Sequence, residues 1–119
     1  MSVERAKYVE ENPDIEAEVI LFTAEQGGNR TQGVISGYAP NHLVKQDYLT
    51  SGFHRYIDFE DGELVPLGKK VLTWIKFITP EYYPETLKVG QIVRIQEGGR
   101  LVGEAKVLSI FNQILAAKE

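Results

Sequence analysis

His42 and His54 are the only histidines in the chain and lie twelve positions apart. Imidazole is the side chain best suited to proton transfer or metal binding near neutral pH. A metal site would need a carboxylate such as Asp47 or Asp58 folded beside both rings, and nothing in the spacing favours that meeting. Asp58, Glu60, Asp61 and Glu63 resemble an oxygen-rich calcium loop. Gly62, however, falls at its fifth position where the loop needs glycine at the sixth, and Lys69 stands at the twelfth where a bidentate glutamate belongs. The segment reads as a solvated acidic turn. Ser36, Ser51 and Ser109 lack a nucleophile context, since Gly33-Val34-Ile35-Ser36-Gly37 does not spell G-x-S-x-G. Gly68-Lys69-Lys70 has the wrong residue after its first lysine, and Glu63 stands where a phosphate-binding loop would open with glycine. These residues predict no catalytic set, no cofactor, no metal and no nucleotide site.

The remaining chemistry is that of recognition. Gly27-Gly28 and Gly98-Gly99 could cradle an anion on backbone N–H groups, but hairpin corners need positive φ at such positions whatever the ligand. Phe53, Tyr56, Phe59, Trp74, Tyr82 and Tyr83 include several aromatics near expected turns, where they can anchor an interface. Trp74 and Phe59 alternate with strand partners and read as packing. Tyr82 and Tyr83 are neighbours on an extended segment, so they point opposite ways and one faces outward.

Composition bounds what can carry these residues. The 119 residues suit one domain, and 43% hydrophobic with 25% charged residues is enough for a packed core. A formal charge of -4 opposes non-specific binding to nucleic acid. The absence of cysteine removes disulfides and thiolate chemistry. Because the first residues interleave charges with apolar side chains, neither a leader nor a membrane span is expected, and the expected location is cytoplasmic.

Along the chain, Val3, Ala6, Lys7 and Glu10 at helical spacing predict a short helix or arm over 1–14, with Ser2 as its cap and Asn12-Pro13 as its end. Ile15, Ala17, Val19 and Leu21 then alternate with Glu16 and Glu18, the signature of a half-buried strand. The segment 31–60 is rich in β-formers but weakly patterned, and its glycines suggest short strands with bulges or corners. Asp61-Gly62 predicts a reversal. Val71, Thr73, Ile75 and Phe77 form the clearest strand, with the Lys76 head free to reach solvent. Gln91–Gln96 and Leu101–Ile110 form a hairpin through Glu97-Gly98-Gly99-Arg100. About six strands with almost no helix predict an all-β barrel or sandwich.

Four blocks carry a family likeness: Ile15-Glu16-Ala17-Glu18-Val19, Glu25-Gln26-Gly27-Gly28, Gly37-Tyr38-Ala39-Pro40, and Gln96-Glu97-Gly98-Gly99-Arg100-Leu101-Val102-Gly103. In order and spacing they resemble the C-terminal (third) domain of elongation factor Tu. The likeness spans most of 15–113 and leaves 114–119 as a tail. It implies an antiparallel Greek-key barrel of six strands, here expected to stand alone without the GTPase domain. In the complete factor this barrel packs on the GTPase domain and touches the T-stem of aminoacyl-tRNA. Asn29-Arg30-Thr31-Gln32 and Ala39 depart from the family pattern, and the arginine that follows the tyrosine is lost. Positive charge toward the tRNA-facing region is left at Arg30, Lys45 and Arg100.

Two readings follow. A non-enzymatic module recognises a protein partner, with Tyr82, Tyr83 and Arg100 as anchors, in one version by mimicking the factor. Alternatively, Arg30, Lys45 and Arg100, with the backbone of Glu97, Gly98 and Gly99, retain a tRNA contact.

Overall fold

The computed structural model describes residues 2–118. In β1 (Ile15–Leu21), Ile15, Ala17, Val19 and Leu21 are buried while the residues between them are half-exposed, as period two requires. Helix α1 (Ser2–Glu11) precedes it. β2 (Asn41–Lys45), β3 (Tyr48–Tyr56), β4 (Lys70–Phe77), β5 (Ile92–Glu97) and β6 (Arg100–Ile110) follow, with short 3-10 turns at Pro80–Tyr82 and Gln113–Leu115. Every strand pairing is antiparallel, and the sheet closes in the order β1-β4-β3-β2-β5-β6. β2, β3 and β4 are consecutive neighbours, and β1 lies beside β4, which is the Greek-key arrangement. Closure leaves no unpaired sheet edge.

The registers define two ends. β1 leaves the barrel beside the start of β6, with Leu21 opposite Gly103. Residues 22–40, the 57–69 connection and the β5–β6 hairpin therefore share one end, here the hairpin end. The opposite, helical-turn end carries the β2–β3 turn, the β4–β5 connection with the first 3-10 turn, and the C-terminal 3-10 turn. The Asp61–Gly62 reversal exists, with Gly62 at φ 78°, but it lies inside the 57–69 connection and does not join two paired strands directly. Within the described part of the C-terminal tail, Leu115 is buried, and Ala117 N–H donates to Leu87 C=O at 2.7 Å.

α1 lies outside the barrel on β3. Ala6 and Val9 are its buried residues, one helical step apart, whereas Val3 faces solvent. The Tyr8 ring meets Phe53 edge-on at 6.4 Å, and Arg55 grips Glu10 at 2.7 Å and Asp61 at 2.5 Å. The capping side chain expected at Ser2 lies outside the described side chains.

Asp14, immediately before β1, is the main polar fixture of the helical-turn end. It is 1% exposed. One carboxylate oxygen accepts from Phe77 N–H at 2.8 Å; the other accepts from Lys76 Nζ at 3.1 Å and Asn112 Nδ2 at 3.0 Å. Its own N–H donates to Ile75 C=O, and its C=O accepts from Phe111 and Asn112 N–H. One residue thus ties the start of β1 to the ends of β4 and β6. The Lys76 head does not reach solvent, because a buried carboxylate lies closer than water and the side chain bends to meet it.

Removing one partner of a buried pair strands the other charge, so Asp14→Ala is expected to lower stability by about 3–5 kcal/mol. The double variant Asp14→Ala/Lys76→Met should recover part of that loss in urea unfolding. A double variant no more stable than the single would show that the cost lies in the backbone bonds and not in the ion pair.

Candidate functional site

At the hairpin end, Gly98 and Gly99 both take positive φ, 56° and 82°. Two such residues between the paired Glu97 and Arg100 make the tight turn that continues the strand twist. The turn aims the Glu97 side chain at the 22–40 loop. Arg30 Nη2 donates to Glu97 Oε2 at 3.0 Å, and Tyr38 O–H donates to the same oxygen at 2.5 Å. The Arg30 guanidinium also stacks on the Tyr38 ring at 4.9 Å. Burial pushes the Tyr38 hydroxyl well above its ordinary range, and the hydrogen bond to Glu97 adds to this. Burial alone would raise the Glu97 carboxyl, but the hydrogen bonds from Tyr38 and Arg30 outweigh it and hold the group below its ordinary value. Glu97 is therefore an anion, and Arg30 already has a partner.

Beside this trio lies a cleft of about 490 Å³, lined by Arg5, Arg30, Val34, Ile35, Tyr38 and Leu64, with Gly33 and Ala39. α1 supplies Arg5, the 22–40 loop most of the rest, and the 57–69 connection Leu64.

The residues named from sequence do not form one site. Arg30, Glu97, Gly98, Gly99 and Arg100 share the hairpin end, where Arg100 is exposed. Lys45 lies at the far end of β2, beside the β2–β3 turn, with its ammonium 5.4 Å from the Tyr48 ring. Tyr82 is 68% exposed. Tyr83 is not a surface anchor: it is 0% exposed, and its hydroxyl bonds Thr50 Oγ1 at 2.9 Å inside the barrel. The opposed directions of the pair hold, with Tyr83 the inward member because its ring packs on Phe77 and Tyr48.

Around Tyr82 the helical-turn end exposes several apolar side chains among charged ones such as Glu81, Glu85 and Lys88. Ile78, Phe111 and Ile114 are 52%, 47% and 43% exposed. The two 3-10 turns touch, while Phe77 and Phe111 are both bonded to Asp14, which gathers these side chains at one end. Sequence periodicity gave no sign of this cluster, since its members lie just beyond strand ends where alternation stops.

The two histidines meet inside the barrel, against the expectation from their spacing. His42 Nε2 and His54 Nε2 are 2.8 Å apart, and both residues are 0% exposed. Gly52, two residues beyond Thr50, the cross-strand partner of His42, leaves room for the ring: a Cβ there would sit 2.8 Å from the imidazole. Proton roles follow from the partners. His42 Nδ1 faces the Thr50 carbonyl at 3.3 Å, which only accepts, so His42 carries its proton there and accepts at Nε2. His54 therefore donates through Nε2, and its Nδ1 accepts from Tyr56 O–H at 2.9 Å. The whole chain is neutral and runs one way. Among the described residues no third metal-ligating side chain joins the pair. Its partners are a carbonyl and a phenol, and it is sealed from substrate, so its role is in the core.

Compared with models of known protein families, the chain matches none.

Burial lowers the His42 pKa from its ordinary 6.5 to about 4 and that of His54 well below its ordinary value. The unfolded chain thus binds more protons, and the stability from the neutral pair is full above pH 6.5 and is lost as pH falls toward 4. Between about pH 7 and about pH 5, where few carboxylates titrate, His42 alone should cost about 2 kcal/mol, with His54 acting in the same direction. Urea midpoints across this window check it. A double variant, His42→Leu/His54→Leu, should show a flat profile whatever its absolute stability.

Proposed function

We propose that this protein is a non-enzymatic binding module that recognises a protein partner through its helical-turn end. The observation that carries the reading is the exposure of Ile78, Tyr82, Phe111 and Ile114, all of which belong to that end. An apolar cluster centred on a tyrosine has the composition of an interface core, where a few aromatic anchors supply most of the binding energy. The barrel interior supports the same reading, because Tyr56, Phe77, Tyr83, Ile75, Ile95 and Leu115 are all buried in it and fill the space a ligand would need. The resemblance to the third domain of elongation factor Tu suggests a specific form, in which the module competes with the factor for a protein that grips that domain.

The tRNA reading draws less support. Its three cations are divided between the two ends, and a phosphate at Arg30 would have to displace Glu97. Counterion release rewards cations set along one face, not cations already neutralised by a carboxylate.

The test is affinity capture from cytoplasmic extract with wild type and Tyr82→Ser/Phe111→Ser, washed at low and high salt. Wild type should retain a protein at high salt. The double variant, with its unfolding curve unchanged, should lose it by about tenfold or more. A retained protein that also binds full-length elongation factor Tu supports the competitive form. Recovery of tRNA alone, lost at high salt, would overturn the proposal.

A further inference from the structure

The cleft at the hairpin end is separate from the apolar end and is built differently. Two guanidinium groups line it, and arginine keeps its charge at any physiological pH. In both, the Nε–H is buried and has no acceptor among the described residues. A buried donor without an acceptor is costly, and two in one cleft mark a place shaped for something that accepts. Arg30 spends Nη2 on Glu97, so one edge donor is left. Arg5 makes a cation–π contact, 5.8 Å from the Phe53 ring, and its buried Nε–H has no acceptor among the described residues. Beside these donors the lining is apolar: Val34, Ile35, Ala39, Leu64 and the Tyr38 ring.

We propose that this cleft binds a monocarboxylate attached to an apolar body, with Arg5 taking the carboxylate through its fork and Arg30 donating through Nε. Charge selects the monoanion, since two guanidinium groups less the Glu97 carboxylate leave a single positive charge. A planar carboxylate matches one arginine fork. A phosphate ester brings more negative charge than that single net positive charge balances, against a wall that is otherwise greasy. The volume of about 490 Å³ lies within the range of small-molecule sites and admits an acyl or aryl group beside Leu64. Two sources share this chemistry: a free organic acid, or the C-terminal residue of a peptide with an apolar side chain.

The test is an NMR titration that follows the Arg Nε–H signals, using hydrocinnamate, hydrocinnamamide, phenethyl phosphate, and the peptide Gly-Gly-Phe with free or amidated C-terminus. Hydrocinnamate should shift the Arg5 and Arg30 signals saturably, and the uncharged amide should not. Arg5→Met should weaken binding by about tenfold or more with the rest of the spectrum unchanged. Leu64→Glu, at an exposed position that leaves the core untouched, should do the same by repulsion. Tighter binding of the free-ended peptide than of hydrocinnamate assigns the peptide source; the reverse assigns the free acid. Equal binding of the amide, tighter binding of the phosphate, or indifference to both substitutions would overturn the proposal.

Discussion

The carboxylate of Asp14 is the interaction on which the helical-turn end depends. A barrel closes only if its first and last strands find each other, and here β1 pairs with β4 on its other side. Asp14 joins all three. Its side chain bonds the β4 residues Lys76 and Phe77, and its backbone carbonyl receives the chain as it leaves β6. Burying such an anion is expensive, and the arrangement survives because each oxygen has donors and a cation lies 3.1 Å away. That clasp also decides what stays outside. By fixing Phe77 inward and turning the chain at Phe111, it leaves Ile78 and Phe111 beyond the strand ends with no interior to enter.

The interior solves a second polar problem by direction, not by charge. From Tyr56 through His54 and His42 to the Thr50 carbonyl, each group donates forward and accepts from behind. The Thr50 hydroxyl meets Tyr83 at 2.9 Å, which brings a second aromatic hydroxyl into the same region. Polar groups so placed bring fixed partners and fixed tautomers, and a satisfied network of this kind specifies one packing more sharply than an all-apolar core of equal volume. The cost is rigidity of protonation, since a proton added at His42 Nε2 opposes the His54 Nε2–H across 2.8 Å, and one added at His54 Nδ1 opposes the Tyr56 O–H across 2.9 Å.

This accounts for what the sequence did and did not disclose. β1, β4, β5 and β6 were legible because their inward positions are apolar and period two stands out. β2 and β3 were not, although they are equally regular: their inward positions include His42, Thr50, Gly52, His54 and Tyr56, so alternation is present in space but not in hydropathy. Asp14 and Lys76 stand 62 positions apart, and no local pattern announces that a flexible cation will fold inward. For Tyr82 and Tyr83, backbone geometry required opposite directions, but only the rings across the barrel decide which tyrosine goes in. The hairpin placed Glu97 beside Arg100, while Arg30 was joined to them only through the family resemblance, which grouped Lys45 there too; Arg5 entered the cleft from a helix whose docking on β3 the sequence leaves open.

The filled interior has a functional consequence. A small closed barrel packed with side chains offers recognition surface only on its outer wall and at its ends, and the two ends of this one differ in kind. At the helical-turn end, exposed apolar side chains such as Ile78 and Phe111 stand beside a rigid clasp, among charged neighbours such as Glu81 and Lys88, a geometry suited to an apolar contact with a polar rim. At the hairpin end the groups are charged, recessed and held by Tyr38, Glu97 and a turn of two left-handed glycines, a geometry suited to a small group with defined acceptors. The strands between them close one barrel, with bulges in the β1–β6, β2–β3 and β5–β6 pairs, and this closed sheet joins the two ends. On the two proposals above, a ligand at one end and a partner at the other would not compete for the same surface.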